Sequence, residues 1–213
     1  ALPEGSGRIT FSAPMDDLRL VFLSTDRGEL FAWSPISRTF AKNTLSLPSG
    51  AAIRSIGTYL TYLYVLDSAN GQIYRFPRAD GGFGAPTSWL RDTIVMNESS
   101  MMSVSENILV SRDGSSLESF FRGRSVKNFE APNEPLAITS IAATPDTSAA
   151  YALDAGKGRI VAWDDFKAEQ VVDVLATHKP VCWDCRVAES FRREHPELVT
   201  DRPSRPSPPP SMA

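Results

Sequence analysis

The fold is decided by the stretch Tyr64-Val-Leu-Asp-Ser-Ala-Asn-Gly-Gln-Ile-Tyr-Arg-Phe76, because its pattern occurs four times along the chain. The other copies are Val21-Phe-Leu-Ser-Thr-Asp-Arg-Gly-Glu-Leu-Phe-Ala-Trp33, Ile108-Leu-Val-Ser-Arg-Asp-Gly-Ser-Ser-Leu-Glu-Ser-Phe120 and Tyr151-Ala-Leu-Asp-Ala-Gly-Lys-Gly-Arg-Ile-Val-Ala-Trp163. Superposition of the copies aligns one set of apolar residues before the turn and one set after it: Leu23, Leu66, Val110 and Leu153, then Leu30, Ile73, Leu117 and Ile160. Each copy ends on an aromatic residue, and the copies are 43, 44 and 43 residues apart.

A repeat of this length with a turn between two apolar runs predicts a four-stranded β-propeller blade. The Asn70-Gly71 pair is a strong hairpin signal, and a two-residue turn requires positive φ at both positions. Arg27-Gly28, Asp113-Gly114 and residues 156–158 stand at the same place in the other copies. We therefore predict an all-β fold with four four-stranded blades and all four turns on one face of the propeller. The two aligned sets of apolar residues, which include Leu66 and Leu153, should be buried between the blades.

The chain divides into a repeat region, residues 1–176, and a Pro-rich tail, residues 177–213. The four units cover about 7–47, 51–92, 101–130 and 137–176. Seven of the 16 prolines lie in the tail, which predicts a mostly disordered or polyproline end. A short helix with a docking role near residues 182–194 is an alternative for this segment.

The copies at 64–76 and 151–163 resemble the second and third strands of NHL, YncE-like and related β-propeller repeats. The resemblance extends through about 170 residues and is general to the superfamily. The chain departs from the WD40 pattern, because Trp163-Asp164 is the single Trp-Asp pair at the end of a third strand. Membership in the superfamily implies a binding platform, or in a minority of cases a calcium-dependent hydrolase or lactonase.

Composition excludes several function classes. The net charge is −3, with about −4 in the repeat region and +1 in the tail, which argues against nucleic acid as a partner. No apolar run approaches the roughly 18 residues of a membrane helix. Both histidines lie in the tail, so a triad or a His general base is not available in residues 1–177. The lack of histidine argues against an enzyme.

Asp67 and Asp154 occupy equivalent positions four residues before a turn glycine, where the other two copies carry Ser24 and Ser111. Asp and Ser side chains often accept hydrogen bonds from the backbone N–H groups of such a turn. The functional alternative is a ring of carboxylates that binds a cation at the mouth of the propeller.

The loops that lead into the innermost strands, at residues 48–51, 92–101 and 130–136, should surround the mouth of the channel. They supply oxygen ligands of the kind that calcium prefers: Asp92, Asn97, Glu98, Glu130, Asn133 and Glu134. Lactonase-like propellers use a similar set of Glu, Asn and Asp at this place. Such residues are otherwise solvated loop side chains.

The tail holds every cysteine and histidine of the chain: His178, Cys182, Cys185 and His195. Two thiolates and two imidazoles could complete a tetrahedral zinc site, although only the Cys-x2-Cys step has a familiar spacing. An incidental cluster in a loose tail is the alternative, and no cofactor is otherwise predicted.

We expect a binding module that presents propeller loops to a protein, peptide or glycan partner. The alternative is a calcium-dependent hydrolase or lactonase-like enzyme that uses the oxygen ligands at the channel mouth. Propellers of the families that the sequence resembles usually have six to eight blades, so we expect four blades to form an incomplete ring. A closed four-bladed ring, with small residues such as Ala51, Ala52, Ser103 and Ala142 along a narrow axis, is the alternative. Upstream blades, the tail or a second copy in a homodimer would then cover the two end faces.

Overall fold

Four antiparallel sheets of four strands each form four blades of a β-propeller, which confirms the predicted fold class. The structure is a computed structural model, and it describes residues 2–129, 135–143, 149–164 and 167–173. The chain divides into two units, Ala1–Leu175 and Ala176–Ala213, and every described residue lies in the first. The features predicted for the tail therefore lie outside the described residues. No helix among the described residues has the length and apolarity needed to span a membrane.

The strands follow one another in sequence order within each blade. Blade 1 contains β1 (Ile9–Met15), β2 (Leu20–Thr25), β3 (Leu30–Ser34) and β4 (Thr39–Asn43). Blade 2 contains β5 (Ile53–Tyr59), β6 (Tyr62–Asp67), β7 (Gln72–Phe76) and, after the small hairpin of β8 (Arg78–Ala79) and β9 (Gly82–Phe83), β10 (Thr87–Ser88). Blade 3 contains β11 (Met101–Val104), β12 (Ile108–Ser111), β13 (Glu118–Phe121) and β14 (Arg124–Asn128). Blade 4 contains β15 (Ser140–Ala143), β16 (Ala150–Asp154), β17 (Arg159–Asp164) and β18 (Lys167–Asp173).

The first strands of the blades lie side by side along the propeller axis, so that β1 contacts β5, β5 contacts β11 and β11 contacts β15. Gly57 allows one of these close approaches. A Cβ atom at this position would lie 2.4 Å from the Cγ2 of Val104, a distance that real Cβ atoms do not tolerate. A side chain larger than hydrogen at residue 57 would therefore push β5 and β11 apart.

The hydrophobic core consists of three clusters, one at each junction between successive blades. The clusters centre on Phe22, Leu63 and Phe76 between blades 1 and 2, on Leu66, Ile73 and Ile108 between blades 2 and 3, and on Leu109, Val161 and Trp163 between blades 3 and 4. Side chains of a strand alternate between its two faces, so each inner blade contributes to two clusters. The blades therefore stabilise one another through their faces.

The superposition of the four copies is correct for two blades and wrong by one residue for the others. Leu66 pairs with Ile73 and Leu153 pairs with Ile160, as the sequence predicts. Leu23 instead pairs with Phe31, and Val110 pairs with Glu118. A shift of one residue moves a side chain to the opposite face of its sheet. As a result, Leu23 faces away from blade 2, and Val110 packs toward blade 2 rather than blade 4.

The turn between β6 and β7 is also longer than the two-residue hairpin that Asn70-Gly71 suggests. Asp67 pairs with Gln72, which leaves four residues in the turn, and Gly71 has φ of +61° whereas Asn70 is not in the left-handed region. A Cβ at Gly71 would also lie 2.3 Å from the carbonyl oxygen of Ile94. Glycine is therefore required here both by φ and by the loop that packs on the turn.

Replacement of Leu66 and of Leu153 by alanine should lower the free energy of unfolding by different amounts, because the first side chain is buried and the second is partly exposed. Leu66 is fully buried, whereas Leu153 is 36% exposed, contrary to the expectation that both are buried. We expect Leu66→Ala to lower the free energy of unfolding by about 2–5 kcal/mol, because a cavity replaces packed atoms. Leu153→Ala should lower the free energy of unfolding by clearly less than Leu66→Ala does. Urea unfolding of both variants in dilute solution measures the difference, and equal losses would contradict the blade packing described here.

Candidate functional site

The turns between second and third strands and the loops that lead into the first strands lie at one end of the blades, which we call the turn face. Two backbone hydrogen bonds join these segments. The N–H of Ile94 donates to the carbonyl of Gly71 at 3.0 Å, and the N–H of Ile138 donates to the carbonyl of Gly114 at 2.6 Å. The loops that lead into blades 3 and 4 thus rest on the turns of the preceding blades.

Asp67 is fully buried beneath the turn face, and both of its carboxylate oxygens are occupied. Oδ1 accepts the N–H groups of Ala52 at 2.8 Å, Ala69 at 3.1 Å and Asn70 at 3.4 Å. Oδ2 accepts the Nδ2 of Asn70 at 2.6 Å. The carboxylate therefore joins the start of β5 to the turn that follows β6.

Asp154 is fully buried at the equivalent place in blade 4, where it faces a buried arginine. Its Oδ2 accepts the Nε of Arg159 at 3.1 Å, and its Oδ1 accepts the N–H of Lys157 at 3.2 Å. Arg159 also donates to the carbonyl of Pro135 at 2.8 Å, so the ion pair holds the loop before β15. Burial raises the pKa of Asp154, but the hydrogen bonds from Lys157, Arg159 and Ala137 outweigh burial and bring the pKa below its ordinary value.

Asp26 plays the same part in blade 1, which the sequence comparison missed. Its Oδ1 accepts the N–H of Arg8 at 2.9 Å, just as Asp67 accepts that of Ala52. The backbone hydrogen bond from Arg8 is the main cause that lowers the pKa of Asp26. The comparison placed Ser24 at this position because it fixed the distance to the turn glycine, whereas the carboxylate lies two residues closer to Gly28.

In blade 3, two side chains, Ser111 and Asp113, accept the backbone N–H groups of the turn. The hydroxyl of Ser111 accepts the N–H of Gly114 at 3.1 Å. The Oδ1 of Asp113 accepts the N–H groups of Ser115 at 2.9 Å and Ser116 at 3.1 Å, and these bonds lower its pKa. In blade 1 the hydroxyl of Thr25 accepts the N–H of Glu29 at 3.3 Å, so a side-chain oxygen accepts a backbone N–H group within each of the four turns.

The residues predicted for the channel mouth have separate environments. Asp92 is exposed, Asn97 caps its own loop by accepting the N–H of Ser99 at 2.8 Å, and Glu98 lies 3.5 Å from the guanidinium of Arg54. Glu130, Asn133 and Glu134 lie outside the described residues, as do His178, Cys182, Cys185 and His195. Within the described ranges, no three Asp, Glu, His or Cys side chains form a group that could hold a metal ion. Calcium and zinc remain predictions.

A cleft of about 670 Å³ opens on the turn face between blades 1 and 2. Half-buried apolar side chains form part of its lining and pack against the core between these blades: Phe11, Leu45, Leu47 and Ile53. Asp26, Arg27 and Arg54 supply charges in the same lining. Leu45 and Leu47 reach the cleft because β4 ends at Asn43 and leaves both residues in the loop that follows.

A second groove, of about 560 Å³, lies along the first strands of blades 1 to 3 at the opposite end. Its lining includes Asp16, Asp17, Tyr59, Leu60 and Val104. The two openings give the propeller a concave surface at each end, and only the turn face carries the loops that the sequence singled out.

Comparison with known proteins places the chain among β-propellers by structure alone. No protein-family model and no curated protein sequence matches it. Similar solved structures include a nidogen/laminin complex (TM-score 0.60, 14% identity, 80% of this chain and 65% of that chain). Others are an inactive virginiamycin B lyase from Staphylococcus aureus with quinupristin (TM-score 0.56, 12% identity, 80% and 56%) and YCF48 bound to D1 peptide (TM-score 0.52, 13% identity, 81% and 54%). These proteins share the β-propeller fold with this chain, which spans between about half and two thirds of their length.

The role of the buried Asp154 carboxylate can be tested by replacing it and measuring how the free energy of unfolding depends on pH. A carboxyl group whose pKa is lower in the folded state stabilises the fold above its unfolded pKa, and this contribution is lost as the pH falls through the folded value. We expect Asp154→Asn to lower the free energy of unfolding by about 3–5 kcal/mol at pH 7, because Arg159 loses its buried partner.

The difference in the free energy of unfolding between the parent and Asp154→Asn should become smaller at pH values below 3.8, the ordinary pKa of Asp, because the carboxyl group of the parent also becomes protonated there. Urea unfolding at a series of pH values measures this difference. Asp92→Asn is the matched control, since Asp92 is exposed on the same face, and it should match the parent at every pH. A constant difference between parent and Asp154→Asn at all pH values would contradict the assignment.

Proposed function

We propose that the chain is a binding module that docks a protein or peptide segment in the cleft between blades 1 and 2. The observation that carries the proposal is the cleft itself, which combines half-buried Phe11, Leu47 and Ile53 with charged groups at Arg27 and Arg54. Concave sites that mix apolar lining with a few polar groups are the usual form of ligand sites.

The carboxylates of the turn face also favour binding over catalysis. Asp67 and Asp154 are committed to backbone groups and to Arg159, so neither is free to act as a base or nucleophile. Two of the similar solved structures are YCF48 bound to D1 peptide and a nidogen/laminin complex. A protein or peptide ligand fits this cleft better than a glycan, because Tyr and Trp are not among its lining residues.

Selection from a random peptide display library tests the proposal. We expect peptides to be enriched on the immobilised full chain and to protect the backbone amides of residues 45–54 from hydrogen exchange. Leu47→Glu, in the cleft, should weaken the selected peptides at least tenfold, whereas Val126→Glu on the outer strand of blade 3 should not. Enrichment that Leu47→Glu leaves unchanged, or protection confined to other residues, would contradict the docking site. A glycan array gives the corresponding test for sugars.

Metal removal separates the binding module from the calcium-dependent alternative. We expect the melting temperature of the chain to be the same with millimolar calcium and with excess chelator, because the described loop oxygens of Asp92, Asn97 and Glu98 do not converge. Differential scanning calorimetry measures both conditions. A rise of several degrees with calcium but not with magnesium would instead support a calcium site in the mouth loops.

A further inference from the structure

The two end blades present apolar faces that match the faces buried at the inner junctions. Tyr64 and Leu66 of blade 2 pack against blade 3 and are 6% and 0% exposed. In blade 4, Tyr151 and Leu153 are the repeat equivalents of Tyr64 and Leu66. They are two residues apart on one strand and therefore lie on the same face of the blade. They are 38% and 36% exposed. Blade 4 therefore carries the side chains of an inner junction, and no blade among the described residues packs on that face.

The outer face of blade 1 supplies the complementary half of such a junction. In blade 3, Ile108 and Val110 of the second strand face blade 2 and are almost fully buried. Val21 and Leu23 are their counterparts in blade 1, since Val21 pairs with Trp33 as Ile108 pairs with Phe120. Val21, Leu23 and Trp33 are only half-buried, on the side turned away from blade 2.

We propose that two copies of this chain associate head to tail, with the outer face of blade 4 in one copy packed on the outer face of blade 1 in the other. The new junction would repeat the packing between blades 2 and 3 of one chain. Leu153 of one copy takes the place of Leu66, and Leu23 of the other copy takes the place of Val110. The two-fold arrangement forms this junction twice and closes eight blades into one ring, a number within the usual range of four to eight. This surface is separate from the cleft between blades 1 and 2.

Two copies of the four described blades supply eight blades, and the outer faces of blades 1 and 4 are both covered in such a ring. Burial of exposed apolar side chains at about 25 cal/mol per Å² provides the driving force for association.

Light scattering after size exclusion, together with sedimentation of the full chain over about 1–100 µM, tests the proposal. We expect a dimer of twice the chain mass of 23.3 kDa. Leu153→Glu and Leu23→Lys should each give a folded monomer, because a charge would be buried in each junction. Val126→Glu, at a 54% exposed position of an outer strand, is the control and should remain dimeric.

Mixing of the two monomeric variants provides the decisive measurement. In a mixed dimer the new glutamate and the new lysine lie in the same junction, while the other junction keeps both leucines, so the mixture should recover the dimer mass at low salt. A change that merely damaged the fold would not be rescued in this way, and circular dichroism checks that each variant is folded. A parent chain that stays monomeric, a variant pair that fails to recombine, or open-ended assembly instead of a dimer would overturn the proposal.

Discussion

Each blade is a single antiparallel sheet with apolar side chains on both faces, and such a sheet gains its stability in water by packing these faces on neighbouring sheets. The three clusters between successive blades cover one face of each end blade and both faces of the inner two. Stability therefore belongs to the array rather than to any single blade, as in other repeat proteins. The contacts along the axis accompany this packing, and Leu153 is incompletely buried because no described blade packs on the outer face of blade 4.

Hydrogen bonds from backbone N–H groups to side-chain oxygens set the geometry of the turn face. Asp26 and Asp67 each hold the residue before a first strand against a turn, and Asp154 holds its loop through Arg159. Because the same bond recurs in different blades, the loops keep a constant relation to the sheets beneath them. Variation between blades, such as the loop with Leu45 and Leu47, can then shape a cleft without disturbing the blades.

The repeat alone was enough to predict the all-β fold, the four blades and most strands, because apolar alternation and turn residues are local properties of the sequence. Register was predicted less well. Leu23 and Val110 face the opposite side from Leu66 and Leu153, since a turn that differs by one residue reverses the alternation and leaves no mark in composition. The cleft depended on where β4 ends, and the role of Asp26 depended on spatial equivalence. Neither is encoded in the spacing of residue types.

The outer strands of the blades also determine how the protein behaves in concentrated solution. The free edge of a sheet can pair with another chain and start aggregation, and proteins prevent this with short or charged edge strands. Blade 2 ends in β10, only two residues long, and blade 3 ends in β14, which is exposed throughout and carries Arg124 and Lys127. Growth of the sheets sideways is thereby disfavoured in these two blades, whose outer edges are protected against amyloid-like stacking.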